Sequence, residues 1–138
     1  MTKLEIIPLE GIPEIRPGDD LVEIVGQIDT IQSGDILVVT QKIISKAENQ
    51  MIEIDPNDPL SHKPLVERES VRILRRRGDL IISQTKHGFV CANAGIDLSN
   101  VERGQAALLP DDSDRSARRL RDGLALSLIH ISEPTRRS

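Results

Sequence analysis

The chain has 138 residues, enough for one domain, and its 38% hydrophobic and 29% charged residues are typical of a globular protein. The net charge is −4, and Phe89 is the only residue of the Phe, Tyr and Trp types, so the composition argues against a nucleic-acid partner. The single cysteine excludes an internal disulfide. No apolar run approaches the roughly 20 residues of a membrane-spanning helix, so we expect a cytoplasmic protein with no membrane partner.

The first third of the sequence predicts a strand, a loop, a helix and a second strand. Residues 3–8 are expected to form a short strand, and the glycine and prolines after it indicate a loop. In residues 21–30 the apolar side chains recur on one face behind two aspartates, a pattern that predicts a helix. The run at residues 36–39 is typical of a central strand covered on both faces. The pattern in residues 40–54 is mixed.

The middle of the sequence predicts a loop, a helix and a hairpin. Residues 55–64 contain three prolines and are expected to form a loop. A helical pattern resumes at residues 65–77 and ends at Gly78, and the arginines at its end are expected to be solvated. Residues 80–85 and 88–92 are predicted to be two strands of a tight hairpin, with His87 exposed in the turn.

The last regular elements are a strand at residues 106–110 and a basic amphipathic helix that runs to about Gly123. Acidic residues at 111–114 are suited to cap that helix. Strands and helices alternate without a regular βαβ rhythm. We therefore predict the α+β class, a mixed sheet with flanking helices.

Common catalytic and phosphate-binding motifs are absent, including G-x-x-x-x-G-K-[ST], G-x-G-x-x-G, H-E-x-x-H and G-x-S-x-G. The informative stretch is residues 87–101, where a strand end is followed by Asp97, Ser99 and Asn100. Polar groups on such loops often meet ligands. The alternative is that Asp97 and Asn100 only form Asx turns or cap a helical turn. Lys46 is similarly either a phosphate contact or an ordinary exposed lysine.

Several stretches in one order resemble the coenzyme F420-0:gamma-glutamyl ligases. They are residues 10–15 with 18–21, then 34–39, 44–48 and 87–101. The most specific is Asn-Ala-Gly-Ile-Asp-x-Ser-Asn at the end of the last stretch. The resemblance extends from about Leu4 to about Leu124 and includes the pattern Leu-Leu-Pro-x-Asp-x-Asp-x-Ser-Ala-x-x-Leu.

The resemblance implies a ligase that joins L-glutamate to coenzyme F420-0 with GTP, through an acyl phosphate. It also implies Mg²⁺ or Mn²⁺, with K⁺ as a further candidate cation, and a homodimer. Divalent cations and a lysine suit phosphoryl transfer because negative charge must be stabilised there. By resemblance Asp97 is the metal ligand. The residues expected to contact the nucleotide are Ile12, Pro13, Glu14, Ile15, Gln41, Lys42, Lys46 and Asn100.

The sequence departs from the family pattern in three places. Gln41 and Lys42 stand where small hydroxyl residues are common, so their ligand contacts are expected through the backbone. Residues 53–65 are shorter than in relatives. The downstream half, with an Ile-Thr-Asp-Thr strand end and further metal ligands, is missing, so we expect residues 1–125 to be the N-terminal part of an incomplete ligase domain.

Residues 126–138 are expected to be foreign, because residues 126–136 match an in-frame translation of the end of a transposase-type sequencing adapter. Two rivals to an incomplete ligase stay open. One is a non-catalytic α/β module that binds a nucleotide or a partner, and the other is a ligase fused to a second domain. The sequence beyond Ala125 in the native gene distinguishes these three.

Overall fold

The computed structural model describes residues 2–99, 103–126 and 131–132, which form an α+β fold, as predicted. Its helices are α1 (Leu21–Gly26), α2 (Gln41–Ala47), α3 (Lys63–Glu69) and α4 (Ser113–Leu126), with a 3-10 turn at Asn93–Gly95. Its strands are β1 (Asp35–Ile36), β2 (Met51–Glu53), β3 (Ser70–Arg77), β4 (Leu80–Thr85), β5 (Val90–Ala92), β6 (Gln105–Ala107) and β7 (Ile131–Ser132).

The strands of the described residues form three small sheets. The largest is antiparallel, in the order β3-β4-β5, and it contains the predicted hairpin of β4 and β5. Strands β2 and β6 pair antiparallel, and β1 pairs parallel with β7. The mixed segment 40–54 resolves into helix α2 and strand β2.

The core has two parts. One is formed by buried side chains from α3, β4, the 3-10 turn and β6, among them Val66, Ile81 and Ala106. The other lies between α1 and α4, where Val25 packs with Leu120 and Leu124.

The two predicted amphipathic helices are present with the expected acidic caps. Helix α1 is shorter than residues 21–30, and the Asp20 carboxylate accepts from the backbone N–H groups of Val22 and Glu23 at 2.9 and 3.2 Å. At the start of α4 the Asp112 carboxylate accepts from the backbone N–H of Arg115 at 3.0 Å. These bonds satisfy donors that a helix leaves unpaired at its first turn.

The helix predicted for residues 65–77 is wrong in its second half. Helix α3 ends at Glu69, and β3 follows directly and pairs with β4 across the two-residue loop Gly78–Asp79. Gly78 has a φ of +58°, so it forms a hairpin turn and does not end a helix. The arginines before it are exposed on a strand. Pairing with β4 outweighs the helical propensity of Leu74 and the arginines, because intrinsic propensity is a small effect that tertiary contacts override.

Two predicted strands are also corrected. No strand forms at residues 3–8, where the side chains of Leu4 and Ile6 are 87% exposed and no described segment pairs with the backbone. Of the central strand expected at residues 36–39, only Ile36 lies in a strand, β1, and Val38 is 87% exposed. A central strand needs neighbours on both edges, and among the described residues β1 has only β7.

The strand expected at residues 106–110 is present as β6, but it covers Gln105–Ala107, so it begins one residue earlier and ends three residues earlier than predicted. The predicted loop at residues 55–64 ends where α3 begins, at Lys63. None of the helices in the described ranges has the length and apolarity that a bilayer crossing requires.

Candidate functional site

Helix α2 is the element around which the predicted site residues assemble. Its inner face is fixed by two polar side chains that bond to one carbonyl: the Ser45 hydroxyl donates to Leu108 O at 2.6 Å, and the Gln41 amide donates to the same oxygen at 3.0 Å. Ser45 is fully buried, and Gln41 also donates to its hydroxyl at 2.7 Å. The side chain of Gln41 therefore binds the protein itself and holds α2 against the segment after β6.

The outer face of α2 carries two lysines, Lys42 and Lys46, which lie one helical turn apart and so share a side of the helix. The Lys42 ammonium donates to the Ser99 hydroxyl and lies 3.5 Å from the Asp97 carboxylate. The Lys46 ammonium donates to the Glu14 carboxylate at 3.3 Å. Each lysine thus joins α2 to a different loop.

The loop that carries Asp97 is held by a strained turn. Asn93, Ala94 and Gly95 have φ values of +48°, +53° and +72°, three successive residues in the left-handed region. Ala94 is nevertheless buried, and the Asn93 amide oxygen accepts from the backbone N–H of Ile81 at 3.1 Å. Non-glycine residues in this region cost about 1–3 kcal/mol each and concentrate at functional sites.

Beyond this turn the backbone of Asp97 is pinned to β6. Its N–H donates to Ala107 O at 2.9 Å, and the Ala107 N–H donates back at 3.0 Å. The turn and the bridge together fix where the carboxylate of Asp97 lies. An aspartate fixed by backbone on both sides is suited to hold a ligand in one position.

The Asp97 carboxylate also makes the local bond of an Asx turn, because its Oδ1 accepts from the Ser99 N–H at 2.8 Å. Partial burial raises its pKa, but the bonds from the backbone and side chain of Ser99 and the charge of Lys42 outweigh burial and leave the pKa below its ordinary value. Asp97 is therefore ionised at neutral pH. The Asx turn uses only Oδ1 of Asp97, and the other oxygen, Oδ2, faces Lys42. Formation of the turn is therefore compatible with a ligand role for this carboxylate.

The loop of residues 12–15 is divided between the core and the site. Ile15 is buried and Ile12 packs against the core between α1 and α4, whereas Pro13 and Glu14 are exposed. The hydrogen bond and the charge of Lys46 lower the pKa of Glu14, and the guanidinium of Arg103, 3.6 Å away, adds to the effect. The two isoleucines anchor the loop and turn Glu14 toward α2.

Four of the predicted residues thus meet along α2: Glu14, Lys42, Lys46 and Asp97. Gln41 lies on the inner face of α2, and Asn100 falls outside the described residues. Sequence reasoning missed Arg103, which no motif marks. The hydroxyl of Ser99, for which the sequence indicates no role, accepts from Lys42 and also bonds to the Asp97 carboxylate.

The donor set for a metal ion is partial. Asp97 supplies an ionised oxygen ligand of the kind that Mg²⁺ and Mn²⁺ prefer. Within residues 2–99 and 103–126, no group of three His, Cys, Asp or Glu side chains is placed to hold a metal ion. A dication at Asp97 would also have to displace or join the Lys42 ammonium. Asp97 therefore fits the chemistry of the expected metal site, and the described residues do not supply the other ligands of that site.

One smaller expectation is corrected near the hairpin turn. His87 is half-buried rather than exposed, and neither ring nitrogen has a hydrogen-bond partner among the described residues. Its ring stacks on Phe89 with the centroids 5.9 Å apart. Cys91 is half-buried, and this burial raises the pKa of its thiol, as expected for a small hydrophobe.

Comparison with known proteins gives one consistent result. The family model described as F420-0:Gamma-glutamyl ligase matches residues 11–130. This match extends into residues 126–138, whose foreign origin stays a prediction.

Named relatives agree with the family model. Proteins named Coenzyme F420:L-glutamate ligase are similar to this chain at 39% identity in Methanopyrus kandleri and at 38% in both Methanothermobacter thermautotrophicus and Archaeoglobus fulgidus. These alignments cover 85–86% of this chain and 52–54% of each relative, so the chain spans about half the length of the curated relatives it matches. The chain belongs to the F420-0:gamma-glutamyl ligase family.

Proposed function

We propose that this chain is the nucleotide-binding part of an enzyme that joins L-glutamate to coenzyme F420-0 through a gamma-glutamyl amide bond, with GTP as the energy source. The names of its relatives support the ligase and the two substrates. GTP, Mg²⁺ or Mn²⁺, K⁺ and a homodimer come from the family resemblance and from the chemistry that the reaction requires.

The reaction explains why phosphate-binding cations are needed. A carboxylate is a poor electrophile, so an oxygen of the acceptor carboxylate takes the γ-phosphoryl group of GTP, and GDP leaves. The amine of glutamate then attacks the acyl carbon, loses a proton, and phosphate departs as the amide forms. Both steps move negative charge onto phosphate oxygens, and fixed positive charge stabilises it.

The pair of lysines on the outer face of α2 is the observation that carries this proposal. Lys42 and Lys46 lie one turn apart on a helix that Ser45 anchors to the core. Each ammonium is partly buried, with 29% and 19% of the side chain exposed, and each is paired with a carboxylate. In the proposed complex, phosphate oxygens of GTP take the place of these carboxylates at one or both lysines.

Asp97 has a separate role in the proposal. It is ionised, fixed by backbone and adjacent to Lys42, so it is suited to bring a divalent cation to the same phosphates. The bound cation would supply charge neutralisation during phosphoryl transfer. Further ligands are proposed to come from outside the described residues.

GTP binding to the 138-residue chain tests the role of α2. Titration calorimetry with Lys46→Met should show at least a tenfold weaker affinity for GTP, because a charge-assisted contact contributes about 1.5–3 kcal/mol. Lys63→Met is the matched control, since Lys63 begins α3 and forms an ion pair of similar length, 3.4 Å, with Asp79. Equal affinities for GTP in the two variants would remove Lys46 from the nucleotide site.

One rival to this proposal is a module that binds a nucleotide without chemistry. The rival predicts GTP binding but no product even from the protein completed with its native downstream sequence. Product from that completed protein excludes it. Sedimentation of the same sample tests the proposed homodimer.

A further inference from the structure

A polar cleft of about 310 Å³ opens between the C-terminal end of α2 and the first turns of α4. It is distinct from the lysine face of α2, and none of its residues was predicted to bind a ligand. Its volume is in the range of small-molecule sites. Glu48, which caps the end of α2, lines one side of it, and Arg115 and Arg119 line the other.

The arginines of the cleft are suited to bind two carboxylates. Arg115 and Arg119 lie one turn apart on α4, so their side chains leave the same face of the helix, about 5–6 Å apart at Cβ. Neither guanidinium has a hydrogen-bond or ion-pair partner within the described residues. A guanidinium binds a carboxylate through two parallel hydrogen bonds, and the spacing of the two suits a short dicarboxylate.

Two carboxylates of the cleft, those of Glu48 and Asp112, are each held by a hydrogen bond through one oxygen, and the second oxygen can bind a cation. The hydroxyl of Ser116, which is 92% buried, donates to Oε1 of Glu48. The same hydroxyl lies 3.1 Å from the carbonyl oxygen of Asp112, whose carboxylate accepts the Arg115 N–H through Oδ1 alone. Oε2 of Glu48 and Oδ2 of Asp112 have no partner among the described residues. An ammonium group fits between such oxygens.

We propose that this cleft binds the free amino-acid substrate, with Arg115 and Arg119 on the two carboxylates of L-glutamate and Glu48 and Asp112 on its ammonium group. The inference rests on the proposed function, which calls for L-glutamate. The inference adds the location of the glutamate site and a basis for its selectivity. Glu48 follows Lys46 by two residues, about 3 Å along the axis of α2, so the cleft lies near the same end of this helix as Lys46 but on a different side of it.

The ammonium contact distinguishes free glutamate from a glutamyl group already joined through its amine. N-acetyl-L-glutamate keeps both carboxylates but lacks the positive charge, and so resembles the joined form. L-glutamine keeps the ammonium and one carboxylate. The cleft should bind L-glutamate at least tenfold more tightly than either analogue. Equal affinity for N-acetyl-L-glutamate would overturn the proposal for the free amino acid.

Calorimetry on the 138-residue chain, with and without GTP, tests the site by mutation. Arg119→Ala should weaken L-glutamate binding at least tenfold, whereas Arg118→Ala, an exposed arginine of the same helix outside the cleft, should not change it. No binding of L-glutamate by the unmodified chain, or the same affinity in Arg119→Ala, would overturn the proposal. Glutamate binding that depends on Arg119 in a chain that does not bind GTP would support the cleft and contradict the proposed function.

Discussion

Replacement of Asp97 by asparagine should separate stability from activity. Asparagine keeps the volume of the side chain and an oxygen that can accept from the Ser99 N–H, a bond of 2.8 Å in the present structure. The substitution removes the negative charge that faces the Lys42 ammonium at 3.5 Å. The side chains of Asp97 and Lys42 are 28% and 29% exposed. Ion pairs of such exposure contribute about 0.2–1 kcal/mol, so the free energy of unfolding at pH 7 should fall by no more than about 1 kcal/mol.

The pH dependence of this loss has a defined sign. The pKa of Asp97 is lowered in the folded chain, so ionised Asp97 stabilises the fold at pH values above the ordinary aspartate pKa. That contribution disappears as the pH falls through the lowered pKa. Urea unfolding at pH 7 should therefore separate Asp97→Asn from the unmodified chain, and the difference should vanish in acid.

Activity should respond much more strongly than stability. In the protein completed with its native downstream sequence, Asp97→Asn should lower ligation by orders of magnitude, because a neutral amide is a weaker ligand for a hard dication. Asp79→Asn is the control: it removes a carboxylate 3.4 Å from Lys63, at the β3–β4 turn, with a comparably small cost in stability. Near-normal turnover of Asp97→Asn at saturating metal would refute the metal role and leave Asp97 with the Asx turn alone.

Three further outcomes are expected. Gly95→Ala should destabilise the chain by about 1–3 kcal/mol in urea titrations, since the φ of Gly95 is +72° and a Cβ would lie 2.7 Å from the Leu109 side chain. Gly78→Ala is the control and should cost less, because Gly78 also has a positive φ but a Cβ there would meet open space. Residues 1–125 supplied with GTP, Mn²⁺, L-glutamate and coenzyme F420-0 should form no product, and any mass gain of one glutamyl unit would place all essential ligands in this part. Sequencing of the source locus should replace residues 126–138 with other sequence; genomic reads that encode residues 126–136 in frame would contradict their foreign origin.

Local signals in the sequence were sufficient for the helices with acidic caps and for the β4–β5 hairpin. Asp20 and Asp112 stand directly before amphipathic runs, and both cap the helices that follow. The segment after Glu69 failed because helical spacing and strand pairing compete there, and only the contact with β4 decides between them. The Gly78–Asp79 pair is typical of a two-residue hairpin loop, whereas the helical spacing before it predicts that Gly78 ends a helix.

The site was predictable where a motif carried it and not where long-range contacts built it. The loop motif ending in Asp97 and the lysines of α2 were found in the sequence, but their meeting depends on bonds from Ser45 and Gln41 to Leu108, more than 60 residues away. The cleft lined by Arg115 and Arg119 was missed for the same reason. Its two sides come from α2 and α4, and neither side alone has a distinctive pattern.

The proposal that this chain is part of a GTP-dependent gamma-glutamyl ligase is tested most directly by the mass of the product. Coenzyme F420-0 is incubated with the protein completed by its native downstream sequence, together with GTP, Mn²⁺ and L-glutamate, and followed by mass spectrometry. We expect the mass to rise by one glutamyl unit, with one GDP formed for each amide bond. An unchanged mass of the coenzyme under these conditions would contradict the proposed activity.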